Sequence, residues 1–283
     1  MRYFKHFGGK LTKERLTQYE QSPNWKKGAF RNLEHTTMDI TLSKVPKLLY
    51  NQIFDKKGRE PEQKLPIHPF DKEAFLAPSD KAKMVWYGHS VVLMRINGKT
   101  LLIDPMLGPN ASPIAPFPVK RFSENTLDLI ADFPEIDLLL MTHDHYDHID
   151  LASFEKLKPK VKKYITTLGT ARHYEDWGVS GEDIVEMDWW DNIKIEGLEI
   201  HCTPSRHFAG RGGNNRAKSF WGGWVIKSAN ENIYFSGDGG YGDHFKEVGE
   251  RLGPFDFGFI ECGQYNTLWH QIHMYPEESV QAG

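Results

Sequence analysis

Thr142-His143-Asp144-His145-Tyr146-Asp147-His148 places three histidines and two aspartates in seven residues, directly behind the apolar run Ile136-Asp137-Leu138-Leu139-Leu140-Met141. Such a run reads as a buried strand, so the polar cluster lies in the loop that ends it. Imidazole nitrogen and carboxylate oxygen are ligands of zinc and its neighbours. In extended backbone, residues 143 and 145 project to one side, where both can grip one ion. If the chain then turns at Asp147 and His148, those side chains face a second position close by. A solvated loop that is histidine-rich by chance does not account for this spacing at a strand end. By context, His207 in Thr203-Pro204-Ser205-Arg206-His207 and Asp238 in Phe235-Ser236-Gly237-Asp238-Gly239-Gly240 are candidates for further ligands. Each follows an expected strand, and glycine beside a carboxylate lets it approach a metal closely.

Outward from this cluster, apolar runs predict strands over 84–87, 90–96 and 100–104, the last two joined at Asn97-Gly98, a strong hairpin signal. A proline-rich loop at 105–118 follows, then a helix over 126–132. Further strands are expected over 163–167, 198–203, 220–227, 232–236 and 255–262, with helices over 150–157, 170–177 and 243–251. Strands alternating with helices and ending in polar loops describe a layered α/β domain with its site at the strand ends. Residues 1–82 are lysine-rich, scattered with prolines and without a sustained period, and read as an arm packed on a catalytic domain at 83–283. Within the arm, 45–54 reads as a short helix carrying Leu48, Leu49, Tyr50, Ile53 and Phe54. Such a helix either touches a membrane or docks on its own domain.

With 283 residues, 39% of them apolar, the chain can bury a full α/β core, which excludes disorder, collagen and coiled coil for the whole. The formal charge of -3 leaves no global positive field, so no nucleic-acid partner is expected. Cys202 and Cys262 cannot build a disulfide framework and are expected as core thiols in a reducing compartment. The first residues lack a secretory apolar region, and no apolar run approaches the ~20 residues of a spanning helix. A cytoplasmic protein is expected, with peripheral membrane contact through the arm and a homo-oligomer left open.

The run His-x-His-x-Asp-His is the signature of the metallo-β-lactamase fold, a four-layer αββα sandwich. The surrounding sequence resembles one branch of it, the hydrolases similar to N-acylphosphatidylethanolamine-hydrolysing phospholipase D. That resemblance spans residues 83–278 and rests on Tyr87-Gly88-His89-Ser90, Asp104-Pro105, Lys120-Arg121-Phe122, Met187-Asp188-Trp189-Trp190, Thr203-Pro204-Ser205-Arg206-His207, Trp221-Gly222-Gly223-Trp224, Gly237-Asp238-Gly239-Gly240-Tyr241 and Gly253-Pro254-Phe255-Asp256. It implies that His143, His145 and His207 hold one divalent ion and Asp147 and His148 another, with Asp238 between them. Zinc is the first choice and manganese or iron the alternatives. It also implies that His273 stands near the substrate phosphate, where it steadies or protonates the departing group. Two ions about 3.5–4 Å apart lower the pKa of a shared water and clamp the oxygens of an ester. Hydroxide is then the expected nucleophile, oriented by Asp147, which can also take up the proton the water gives off.

Two departures from the branch stand out. The branch takes a last histidine ligand from a strand after the helix that begins near Pro276. This chain ends at Gly283, so the C-terminal helix–strand–helix portion is expected to be missing, the second ion weakly held and a sheet edge exposed. His270 is not expected to replace that ligand. The segment 264–269 lacks the arginine that the branch often sets before its phosphate, and Arg206, Arg211 and Arg216 are the candidates to serve instead. Tyr265 and Trp269 either line an apolar acyl groove or belong to the core. The expected activity is hydrolysis of phosphodiesters such as glycerophospholipids. A lactonase or other carboxylic-ester hydrolase is the alternative, and a nuclease or an inactive metal-binding domain stands behind it.

Overall fold

The computed structural model describes residues 2–54, 58, 60–113, 118–212, 215–263 and 265–283. Residues 114–117 of the proline-rich loop and Gln264 of the segment 264–269 lie outside the described residues. The N-terminal part carries helices α1 (Arg2–Lys5), α2 (Lys13–Tyr19), α3 (Val45–Phe54) and α4 (Lys72–Leu76), and a ribbon of β1 (Trp25–Lys26) and β2 (Ala29–Phe30). Then β3 (Lys83–Trp86), β4 (Val92–Ile96), β5 (Lys99–Ile103), β6 (Ile136–Met141), β7 (Val161–Thr167) and β8 (Ile184–Met187) form, among the described residues, a six-stranded sheet in that order. A five-stranded sheet of β9 (Asn192–Ile195), β10 (Leu198–Thr203), β11 (Gly223–Lys227), β12 (Asn232–Phe235) and β13 (Phe257–Phe259) runs in the order β13-β12-β11-β10-β9. Four further helices are α5 (Leu151–Leu157), α6 (Ala171–Asp176), α7 (His244–Leu252) and α8 (Pro276–Ala282).

Period-two alternation decides which side chains face which layer. Leu138 and Leu140 of β6 point inward, where they join Ile103, Ile165, Ile200, Trp224 and Ile226 in one core between the two sheets. Leu139 and Met141, the alternate residues, point outward against Phe154 and Tyr174 of α5 and α6. On the far face of the other sheet, Val225 and Tyr234 pack on Phe245, Val248 and Leu252 of α7. Helices therefore cover both outer faces of a sheet pair, the four-layer arrangement expected from the motif. Each large apolar side chain buried this way stabilises by about 1.5–3 kcal/mol over leaving it exposed.

The Asn97-Gly98 turn forms as predicted, both residues adopting the positive φ that a two-residue hairpin requires. Strands β5 to β8 are parallel. Parallel neighbours need crossovers, supplied here by α5, α6 and, in place of the helix expected at 126–132, a 3-10 helix over Thr126–Ala131. Besides the two-residue strands β1 and β2, strands β8 and β9 of the two sheets were not legible in the sequence: both are short and at most half-buried over most of their length, so no apolar run marks them. The strand expected over 255–262 shrinks to the three residues of β13. Cys202 is buried as expected, but Cys262 is exposed, because β13 has already ended before it.

The N-terminal part contributes to the interior. Tyr19, Trp25 and Phe30 belong to the core between the sheets, with Phe30 stacked on Phe220 at 4.6 Å. Helix α3 forms over the residues expected, and its Leu49, Tyr50, Ile53 and Phe54 are exposed to solvent rather than docked. No helix among the described residues is long and apolar enough to cross a membrane.

Candidate metal centre

Five strands deliver the site from their C-terminal ends: β3 leads to His89, β6 to 143–148, β10 to His207, β12 to Asp238 and β13 to Glu261. After β6 the chain turns rather than entering a helix at once, with the His148 and Ile149 amides both donating to the His145 carbonyl. Helix α5 starts three residues after His148, capped by Asp150, whose carboxylate accepts from the Ser153 amide at 3.0 Å. Beside Asp238, Gly237 has φ +63, and a Cβ there would lie 2.4 Å from the Gly222 carbonyl oxygen, so glycine is required.

The six residues expected as ligands converge. Among the described residues, His143, His145 and His207 form one group and His143, His148 and Asp238 another, while Asp147 and His148 meet in a third. Hydrogen bonding at the far side of each ring shows what the near side offers. The Thr142 hydroxyl donates to Asp104 Oδ2 at 2.6 Å, so it accepts from His143 Nδ1 at 3.0 Å, leaving a lone pair on His143 Nε2. His207 Nδ1 donates to the Ile272 carbonyl at 3.0 Å, leaving a lone pair on its Nε2. Both lone pairs point at His145 Nδ1, from 2.9 and 3.2 Å. That nitrogen holds at most one proton and can satisfy only one of them. Three nitrogens that converge with one proton or none among them fit a cation.

Electrostatics support the same donor set. Burial, then the neighbouring imidazoles, push His143 and His207 well below the usual histidine range, and burial lowers His145 as well, so these rings are neutral and able to ligate. His148 differs. Burial would lower it, but Asp238 and Asp104 raise it well above the usual range, and its Nε2 lies 3.1 Å from Asp238 Oδ2. Its Nδ1 donates to Asp104 Oδ2 at 2.8 Å, so the second proton sits on Nε2, in the place a cation would take. Asp238 is in turn held well below the carboxylate range by His148, against the effect of burial.

His273 meets His207 and Asp238 in a fourth group, and its Nδ1 lies 2.6 Å from Glu261 Oε1. Burial would lower His273, but the Glu261 hydrogen bond and Asp238 raise it. The substrate-side expectations fare differently. Arg206 spends its guanidinium on Thr36, the His35 and Tyr241 carbonyls and Glu34, so it braces the N-terminal part rather than facing a phosphate. Arg211 is 1% exposed, bonded to the carbonyls of His6, Asp144 and Ile149 and set over the Tyr146 ring, so it too is structural. Arg216 lies over the Phe208 ring at 4.1 Å. Tyr265 is exposed and stacked on Tyr275, and Trp269 is half-buried. His270 pairs with Glu278 at 2.8 Å.

Several residues of the site carried no expected role. Asp144 is buried among His173, Arg172 and Ser219 and accepts from the Gly210 amide at 2.6 Å, which ties the histidine loop to the His207 loop. Burial would raise its pKa, but those partners hold it well below the carboxylate range. Asn32 clamps His207 from the N-terminal part, with its amide donating to the His207 carbonyl at 2.8 Å and accepting from the His207 N–H at 3.1 Å. Nothing local marks Asn32. His89, by contrast, follows a glycine at a strand end, the same signal that singles out Asp238, and its Nε2 lies 3.1 Å from Asp147 Oδ2.

Comparison with known proteins agrees with this geometry. A family model described as a β-lactamase superfamily domain matches residues 99–283. An uncharacterized protein of Mycobacterium tuberculosis is 32% identical over 265 residues, covering 93% of this chain and 70% of that protein. The N-acyl-phosphatidylethanolamine-hydrolyzing phospholipase D 1 of Caenorhabditis elegans is 30% identical over 230 residues, 77% of this chain and 64% of the relative's length. Among solved structures, a metallo hydrolase from the archaeon Ignicoccus hospitalis aligns with a TM-score of 0.54 at 21% identity, covering 71% of this chain and 76% of that one. The chain belongs to the β-lactamase superfamily, as a metal-dependent hydrolase with the metallo-β-lactamase fold.

Proposed function

We propose that this chain hydrolyses phosphodiesters, glycerophospholipids among them, using two divalent cations, with zinc the first choice. The observation that carries the reading is the position of Asp238, grouped with His143 and His148 on one side and with His207 and His273 on the other. One carboxylate thus stands between both sets of nitrogens. His143, His145 and His207 would hold the first cation, Asp147 and His148 the second, and Asp238 both. Bound there, the cations would acidify a water and withdraw charge from a phosphoryl oxygen. Asp147 would orient that water and receive its proton. His273, fixed through Nδ1 by Glu261, would deliver a proton to the departing oxygen from its other nitrogen.

The substrate half of the reading is supported by the Caenorhabditis elegans relative, which is named for hydrolysis of a phospholipid. Under it, Tyr265 and Trp269 border the acyl chain, and the exposed Leu49, Tyr50, Ile53 and Phe54 of α3 are where the chain meets lipid. The test is a side-by-side assay on a synthetic phosphodiester, a phospholipid vesicle and a lactone at matched metal content. The expected result is phosphodiester and phospholipid turnover that stops on chelation and returns with zinc. Faster turnover of the lactone, or phosphodiester hydrolysis that survives strong chelation, contradicts it.

A further inference from the structure

Beyond the six expected ligands, one more imidazole reaches the cluster, from the turn between β3 and β4. His89 Nε2 lies 3.1 Å from Asp147 Oδ2, and the rings of His89 and His148 stand 4.8 Å apart at 66°. One ligand atom from each of His89, Asp147 and His148 falls within 4.8 Å of the other two. We propose that His89 is a direct ligand of the second cation, completing a four-donor shell with Asp147, His148 and Asp238. The assignment rests on the two-cation reading above.

Geometry is the first support. Around a zinc-like ion with bonds of about 2.0–2.1 Å, tetrahedral donors stand about 3.3 Å apart. His89 Nε2 to Asp147 Oδ2 and His148 Nε2 to Asp238 Oδ2 are both 3.1 Å. His148 belongs both to the group with His89 and Asp147 and to the group with His143 and Asp238, so the two pairs adjoin through it. Among the described residues, this completes the second site from side chains that each follow a strand.

The turn that presents His89 is firmly held, which keeps its ring at the cluster. His89 has φ 49, in the left-handed region that disfavours any residue with a Cβ, next to Gly88 at φ 85. Lys27 and Glu196 hold the same region in the turns between β1 and β2 and between β9 and β10, so the conformation alone marks no site. What is particular to the His89 turn is how many contacts brace it. Trp86 Nε1 donates to the His89 carbonyl at 2.7 Å, the Tyr87 amide donates to the Val91 carbonyl at 2.9 Å, and Arg121 ties the Tyr87 carbonyl to that of Met106. The alternative is a plain ion pair between His89 and Asp147. The His89 and Asp147 side chains are 41% and 40% exposed, and an exposed pair contributes little.

His89→Gly separates these roles, because glycine relaxes the left-handed backbone while removing the imidazole. His89→Asn, which also tolerates that conformation, covers the case in which glycine loosens the turn. Wild type and both variants, purified without chelator, are dialysed against graded free zinc and their ions counted by elemental mass spectrometry. Melting temperature is measured on the metal-free proteins. The expected result is two ions in wild type, one ion retained in each variant with the second at least about tenfold weaker, and metal-free melting no lower than wild type. Two ions of unchanged affinity in both variants overturn the assignment while leaving the two-cation reading intact. Metal-free melting lowered in both variants would make His89 a brace of the turn, which also overturns it. A wild-type chain holding one ion or none overturns the two-cation reading and the His89 assignment with it.

Discussion

The two nitrogen clusters that meet at Asp238 differ in how much of the molecule stands behind them. His143 and His207 are each 1% exposed, with their outer ring nitrogens fixed by Thr142 and the Ile272 carbonyl, and the backbone of His207 is held by Asn32. Opposite them, His148 is equally locked, by Asp104, but Asp147 and His89 are half-open to water and bonded to each other. A ligand locked by its outer contacts arrives already oriented and loses little freedom when an ion binds, whereas an open pair must be ordered by the ion itself. The comparison teaches that one cation should be resident and the other exchangeable, with the exchangeable one beside the solvent through which a substrate must enter.

The strongest way to break this contrast is His207→Ala. Loss of the resident ion should lower kcat/KM by about 10²–10³-fold or more, the scale on which single electrostatic stabilisers act. Steady-state kinetics together with an ion count would reveal it, and a variant that keeps both ions would collapse the distinction. Next in size is Arg211→Met. Arg211 donates to the carbonyls of Asp144 and Ile149, which flank the residues of both clusters. Leaving those carbonyls unpaired in the interior should cost about 2–4 kcal/mol in denaturant unfolding, and should weaken both ions together. A selective loss of one would show that the loop is not a shared support.

Acid strips ions by protonating their ligands, so the pH dependence of the metal-free chain must be known before the two clusters are compared. His244, buried at the start of α7, sets part of it. Burial, with Arg206 adding to it, pushes this ring down to about 4 from an ordinary value of 6.5. Between those values the unfolded chain binds the extra proton, so stability rises with pH and is lost as pH falls through the window, by an amount on the order of 2–3 kcal/mol. His244→Asn should flatten that slope in metal-free urea titrations between pH 4.5 and 6.5. The smallest effect sharpens the contrast rather than testing it. Asn32→Ala should weaken the resident ion by about tenfold through the His207 loop while leaving the exchangeable one unchanged, as competition with a chelator of known affinity would report.

The legibility of the site in the sequence follows from how local each signal is. The 142–148 run could be read because strand, turn and donors are contiguous, and His207 and Asp238 because each follows an apolar strand. The sandwich was legible through β6 and its neighbours, whose buried residues alternate or run together, while β8 and β9 are short and mixed in character and stayed hidden. Asn32, 175 residues away from His207, leaves no local trace of its contact. Arg206 and Arg211 misled for the related reason that an arginine beside a metal loop looks the same in sequence whether its guanidinium faces a phosphate or satisfies buried carbonyls. His89 carried the right signal, a glycine-preceded histidine at a strand end, but its partner Asp147 lies 58 residues on.

Staged metal removal tests the central claim most directly. The protein is dialysed against increasing chelator, and ions per chain and phosphodiester turnover are followed on the same samples. The account predicts two ions at the start, loss of one at low chelator with activity falling in step, and the other retained until far stronger chelation. A single ion from the outset, simultaneous loss of both, or turnover unchanged as the first ion leaves would contradict it.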